Sequence, residues 1–232
     1  MGGSEAQDTL GGYALTLVDS LDMLALLGNR TEFAWAVQWV SEHLDFDLDM
    51  TVSLFETNIR IMGGLLAAHL LAVEGASAVR GYSGALLTHA HALGERLLPA
   101  FATPTGIPYG SVNLRHGVAA GESTITCTAA ATTLALEFGT LSRLTGHPQF
   151  EQAALGAVRA LWARRSALDL VGAHIDVVTG EWTHPDAGIG TSVDSFYEYL
   201  LKSYLLLGDV EYLHLFHAAY AAAELHLRRD PW

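Results

Sequence analysis

Apolar positions recur with a helical period along most of the chain. They predict helices at roughly 9–27, 31–43, 52–73, 84–98, 127–145, 148–165, 191–207 and 209–228. The stops between them fit helix chemistry. Gly28 ends the first, and Pro148 after Gly146-His147 suits a first turn. Asp209 after Gly208 suits an N-cap. Two stretches break the period. Thr103 to Asn113 is rich in Pro and Gly yet carries Ile107 and Tyr109, which predicts an ordered loop that places groups. His174 to Thr183 alternates around Thr179-Gly180, which predicts a short β-hairpin. Helices paired by short connections predict stacked or circularly arranged αα-hairpins. A ring closed from such pairs needs more than about eight helices.

Charged side chains inside these apolar runs are the candidate chemistry. Glu56 and Arg60 lie one turn apart in Val52–Leu66 and share a helix face. A carboxylate flanked by Leu54, Phe55 and Ile59 is a candidate for a low-dielectric setting, which favours the protonated form and suits a general acid. The same spacing equally fits an ordinary surface ion pair. Glu137 is a second acid inside an apolar helix, where an unpaired carboxylate is costly. Asp194 follows a Gly-rich turn at the start of a helix bearing Phe196, Tyr197, Glu198 and Tyr199. It reads as an N-terminal capping acid, or as one carboxylate of a sugar site with aromatic rings beside it. Paired carboxylates are the equipment of glycoside hydrolysis.

Composition narrows the field. Only 16% of the 232 residues are charged and half are hydrophobic, so much of the chain is buried. The net charge of −13, with basic knots only at Arg164-Arg165 and Arg228-Arg229, argues against nucleic-acid binding. The eleven histidines form no H-E-x-x-H arrangement, and His89 and His91 are assigned to structure. There is no P-loop and no G-x-S-x-G. The single cysteine, Cys127, excludes an intramolecular disulfide within this sequence and a Cys-based zinc site. Its partner would sit on another chain, such as an oxidoreductase, or on a segment outside this sequence. No run reaches the ~18 apolar residues of a membrane span. The polar N-terminus shows no signal-peptide core, and Ala6 breaks the myristoylation pattern. Asn29-Arg30-Thr31 is an N-glycosylation sequon at Asn29.

Several blocks in register then resemble one family. They are Thr16–Asp22, Ser53–Arg60 with Gly63-Gly64-Leu65, Pro108–Leu114, Leu136-Glu-Phe138 with Leu141–Gly146, and Asp194–Lys202. Together they resemble glycoside hydrolase family 47, the class I α-1,2-mannosidases. Pro104–Tyr109, Val171–Gly180 and Ser192, where the glycan-trimming enzymes carry arginine, resemble the ER degradation-enhancing branch.

The resemblance implies an all-α fold, the (αα)7 toroid, present as one partial domain over 1–232 with about eight helices and a short hairpin. It implies calcium-dependent, inverting removal of mannose from high-mannose N-glycans of glycoproteins in the endoplasmic reticulum lumen. Glu56 matches the general acid and Asp194 an acidic catalytic residue. Arg60 and Glu137 match residues of the mannose pocket, and Glu198 joins the substrate-binding candidates. The family's later Arg-Pro-Glu segment, with its base-like glutamate, and its calcium-binding threonine are not in this sequence. The run Leu225–Trp232 directly after a helix reads as a cut. The expectation is an N-terminal portion, inactive alone. A glycan-binding factor without catalysis and a truncated gene product are the alternatives.

Overall fold

In the computed structural model of the protein, residues 12–229 are described. The first helical stretch is broken into α1 (Leu15–Val18) and α2 (Leu21–Leu26). It is not the single helix expected over 9–27, and residues 9–11 lie outside the described part. At the break, Ser20 Oγ donates to the carbonyls of Thr16 (2.7 Å) and Leu17 (3.1 Å), competing with the backbone ladder. Helix α3 (Arg30–His43) is capped by Asn29, whose side chain accepts from Glu32 N–H.

Strand β1 (Thr51–Ser53) runs directly into a long helix with three parts: α4 (Leu54–Glu56), a π-helical segment (Thr57–Met62) and α5 (Gly63–Val73). Helix α6 (Ala85–Leu97) leads through a 3₁₀ turn to the Pro/Gly loop. That loop is ordered and ends in β2 (Ser111–Asn113), which pairs antiparallel with β1. Next come β3 (Ile125–Cys127), α7 (Thr128–Thr132), α8 (Ala135–Thr145) and α9 (Gln149–Trp162). The helix expected over 127–145 is thus interrupted at Thr133-Leu134. There Thr133 leaves helical geometry (ψ 60°) and its hydroxyl pairs with Ser195 Oγ at 2.7 Å.

The predicted hairpin is β4 (His174–Asp176) with β5 (Trp182–His184), turning through Gly180 at φ 76°. Strand β3 adds to its other edge, making a three-stranded sheet in the order β3-β4-β5. Helices α10 (Asp194–Leu207) and α11 (Val210–His226) complete the described residues. Gly208 sits in the left-handed region between them, and Asp209 caps α11 through Glu211 N–H at 2.9 Å.

The packing is a row of four helical hairpins among the described residues. The leading helices α2, α5, α8 and α10 pack on one another in that order, and α3, α6, α9 and α11 back them. Phe33, Phe138, Phe150 and Phe196 are fully buried between the layers. Each is worth roughly 1.5–3 kcal/mol of burial. Two glycines permit close approach of neighbouring helices. A Cβ on Gly64 would lie 2.7 Å from the Val18 carbonyl oxygen, and one on Gly94 would lie 2.7 Å from Leu141 Cδ2 and 2.8 Å from Phe150. The outermost hairpins keep apolar side chains in solvent: Met23 and Leu26 on α2, Leu205 and Leu206 on α10, and Tyr220 and Leu225 on α11.

Candidate functional site

Glu56 closes the first turn of its helix. Ser53 Oγ accepts from its N–H at 3.3 Å, and this cap sets the helix start. Its carboxylate Oε2 accepts from Arg60 Nε at 2.7 Å, and Arg60 Nη1 reaches Asp19 Oδ2 at 3.5 Å. Glu56 and then Asp19 hold the guanidinium proton more tightly than usual. Of the two settings open to Glu56, the ion pair near the surface is the one found, not the low-dielectric one. The Glu56 side chain is 35% exposed, and Leu54, two residues away, is the one turned into the core. Sequence neighbours on a helix point around its axis, so apolar flanks do not bury the residue between them.

The buried acid is Glu137, and it is met from two other helices. Asn58, in the π segment and fully buried, donates from Nδ2 to Glu137 Oε2 at 2.8 Å and to the Thr133 carbonyl at 3.2 Å. Tyr199 Oη on α10 donates to Glu137 Oε1 at 2.8 Å. Burial pushes the Glu137 carboxyl above the usual carboxylate range. The hydrogen bonds from Tyr199 and Asn58 and the charge of Lys202 oppose that push. Burial and the neighbouring Glu137 raise the Tyr199 phenol far above its ordinary value. Gly63 leaves space beside the carboxyl, and a cavity of about 170 Å³ is lined there by Gly63, Leu66, Leu70, Leu136 and Glu137.

Asp194 opens α10, is exposed, and accepts from Ser195 N–H at 2.9 Å. The turn before it is held firmly. Ser192 lies in the left-handed region at φ 78°, and its carbonyl accepts from Ala129 N–H at 2.8 Å, which ties the turn to α7. Helix α4 packs on α7, and α7 on α10, so the helices of Glu56 and Asp194 share a neighbour. Glu198 is an exposed partner of Lys202 at 2.5 Å.

The structure thus joins Glu137 to Asn58 and Tyr199, and Glu56 to Arg60 and Asp19. It keeps Asp194 and Glu198 on the solvent side of α10. Sequence reasoning missed Asn58 and the partnership of Tyr199. The available signal was an amide inside the apolar run, two residues from Glu56.

The remaining candidates take local roles. Asn29 is exposed at the cap of α3. His89 Nε2 meets the Ser41 carbonyl at 3.2 Å, and His91 Nε2 meets His147 Nδ1 at 2.6 Å. Cys127 Sγ accepts from Ala130 N–H at 3.4 Å and caps α7, which gives the thiol a structural duty and no support to an oxidoreductase partner. Among the described residues, no group of three or more His, Cys, Asp or Glu side chains converges to hold a metal.

Comparison with known proteins agrees with this architecture. The sequence profile of glycosyl hydrolase family 47 matches residues 3–232. Alpha-mannosidase I MNS4 of Arabidopsis thaliana is 62% identical over 230 residues, which are 98% of this chain and 37% of that protein. Human ER degradation-enhancing alpha-mannosidase-like protein 2 is 49% identical over 98% of this chain and 40% of its own length. The chain therefore spans about two fifths of these relatives. Among solved structures, an alpha-1,2-mannosidase from Trichoderma reesei superposes with a TM-score of 0.85 at 28% identity, covering 95% of this chain and 48% of the enzyme.

Proposed function

Since the chain belongs to glycosyl hydrolase family 47, we propose that it is the part of an α-1,2-mannosidase that carries the general acid and one side of the mannose pocket. The whole protein would trim α-1,2-linked mannose from N-glycans of glycoproteins marked for degradation in the endoplasmic reticulum. The observation that carries this reading is the pairing of two unlike carboxylates on adjoining helices. Glu137 is enclosed by Asn58 and Tyr199, while Glu56 is accessible and held by Arg60.

In this reading Glu137 and Arg60 bind sugar hydroxyls. Glu56 protonates the departing glycosidic oxygen, and Asp194 steadies positive charge growing at the anomeric carbon. Inverting hydrolysis also needs a base on the opposite face to activate water, and we assign that base to a part of the protein outside this sequence. Calcium, expected from the family, would help position sugar and water. The steps assigned to this chain are those of its own side chains.

A second reading, glycan binding without turnover, is favoured by the Glu56–Arg60 contact. A partly exposed carboxylate paired with a guanidinium offers an acceptor and donors to sugar hydroxyls without any proton transfer.

Titrating the 232-residue chain with α-1,2-mannobiose, followed by NMR, tests the site. Resonances of Glu137 and Tyr199 should shift, and Arg60→Ala should weaken binding by about 10-fold or more, as expected for a charge-assisted hydrogen bond. A chain whose spectrum ignores the disaccharide overturns the proposal.

A further inference from the structure

The two oxygens of Glu137 are not equivalent. The Asn58 amide is pinned by the Thr133 carbonyl, which can only accept, so Nδ2 faces inward and its other hydrogen goes to Glu137 Oε2. Oε2 therefore always receives a donor. The Tyr199 hydroxyl on Oε1 can donate or accept, so this side alone tolerates either charge state of the carboxyl. Glu137 and Gly63 line the same cavity, and a methyl group built on Gly63 would lie 3.8 Å from both Cγ and Oε1 of Glu137.

We propose that Asn58 and Tyr199 are positioning residues that clamp Glu137 so that Oε1 is the oxygen presented to a hydroxyl of the bound pyranose. This rests on the mannose-site reading above. The π segment then has a task. It turns the fully buried Asn58 under Glu137 while Glu56 and Arg60, two residues to either side, stay at the surface. The groups facing Glu137 are the neutral Asn58 from the π segment and Tyr199 from α10, with the charge of Lys202 acting from the same helix. When Glu137 gains a proton at Oε1, that proton uses Tyr199 as its acceptor, and a sugar hydroxyl loses its own. Sugar binding therefore falls as pH drops through the titration of Glu137.

The test is a ¹³C-carboxyl NMR titration of Glu137 in the 232-residue chain, with α-1,2-mannobiose affinity measured at each pH. Tyr199→Phe removes one oxygen and keeps the ring. It should raise the Glu137 midpoint by about one pH unit and carry the acid limb of binding with it, a loss of about 5-fold at the original midpoint that approaches about 10-fold well below it. Asn58→Leu keeps a similar volume, removes the fixed donor without adding a charge, and should move the midpoint the same way, so the two variants check each other. A Glu137 midpoint unmoved in a folded Tyr199→Phe chain overturns the clamp. Absence of any disaccharide binding overturns the sugar-site reading instead, while the titration still decides whether Asn58 and Tyr199 position the carboxyl.

Discussion

Asn58 and Glu137 stand 79 positions apart in the chain, yet their side chains meet at 2.8 Å in the interior. That one contact joins the second hairpin to the third beneath the Glu56–Arg60 pair. It converts a costly buried carboxylate into a held one.

The state of Glu137 should be visible in the pH dependence of stability. Burial raises its pKa in the fold above the unfolded value, so the native state binds the proton more tightly. Its contribution is therefore fully present below the unfolded pKa and is lost as pH rises through the folded one. Glu137→Gln keeps an acceptor for Asn58 and removes the titration. Its Tm relative to wild type should rise with pH across that window and then level off. Thermal melts of both chains across pH check this, and a constant difference would contradict it.

Helix contact at the start of the chain depends on Gly64. An added methyl meets backbone, the Val18 carbonyl oxygen at 2.7 Å, which cannot swing aside. Gly64→Ala should cost about 1–3 kcal/mol. Gly156→Ala in α9, where nothing lies within 4 Å, should instead stabilise by about 0.4–1 kcal/mol. Urea unfolding of both variants measures the contrast. Equal effects would mean that α1 does not press on α5.

Apolar exposure on the outer hairpins has a solution consequence. Leu26 is 72% exposed, Leu205 71% and Leu225 75%. Patches of this kind drive association, and the fungal enzyme that superposes on this chain has as much structure again beyond the match. The isolated chain should self-associate at micromolar concentration. Sedimentation velocity checks it, and a monodisperse monomer that unfolds cooperatively would contradict it.

Periodicity and end chemistry made the helical hairpins, the β4–β5 turn and the stops at Gly208 and Asp209 legible in the sequence. Two features were hidden for physical reasons. The π segment keeps Glu56 and Arg60 in contact, so their spacing reads as a plain α-helix. At the break, Thr133 bonds to Ser195, 62 positions away, and to Asn58, contacts that no local pattern reports. Apolar flanks left two settings open for Glu56, and only the packed helix shows the ion pair near the surface; the burial of Glu137 followed from its place in an apolar run. Its partners were invisible because Tyr199 looks like any aromatic beside a carboxylate until α10 is packed on α8.

The central claim is a division of labour, with the acid and one side of the mannose pocket in this chain and the base elsewhere in the protein. General-base assistance is typically worth about 10²–10⁴-fold, and a water left unplaced adds to the deficit. The direct measurement is mannose release from α-1,2-mannobiose by the 232-residue chain, with Glu56→Gln alongside. The account predicts no release from either. Turnover by the wild-type chain that disappears in Glu56→Gln would contradict it, because the base would then lie among these residues.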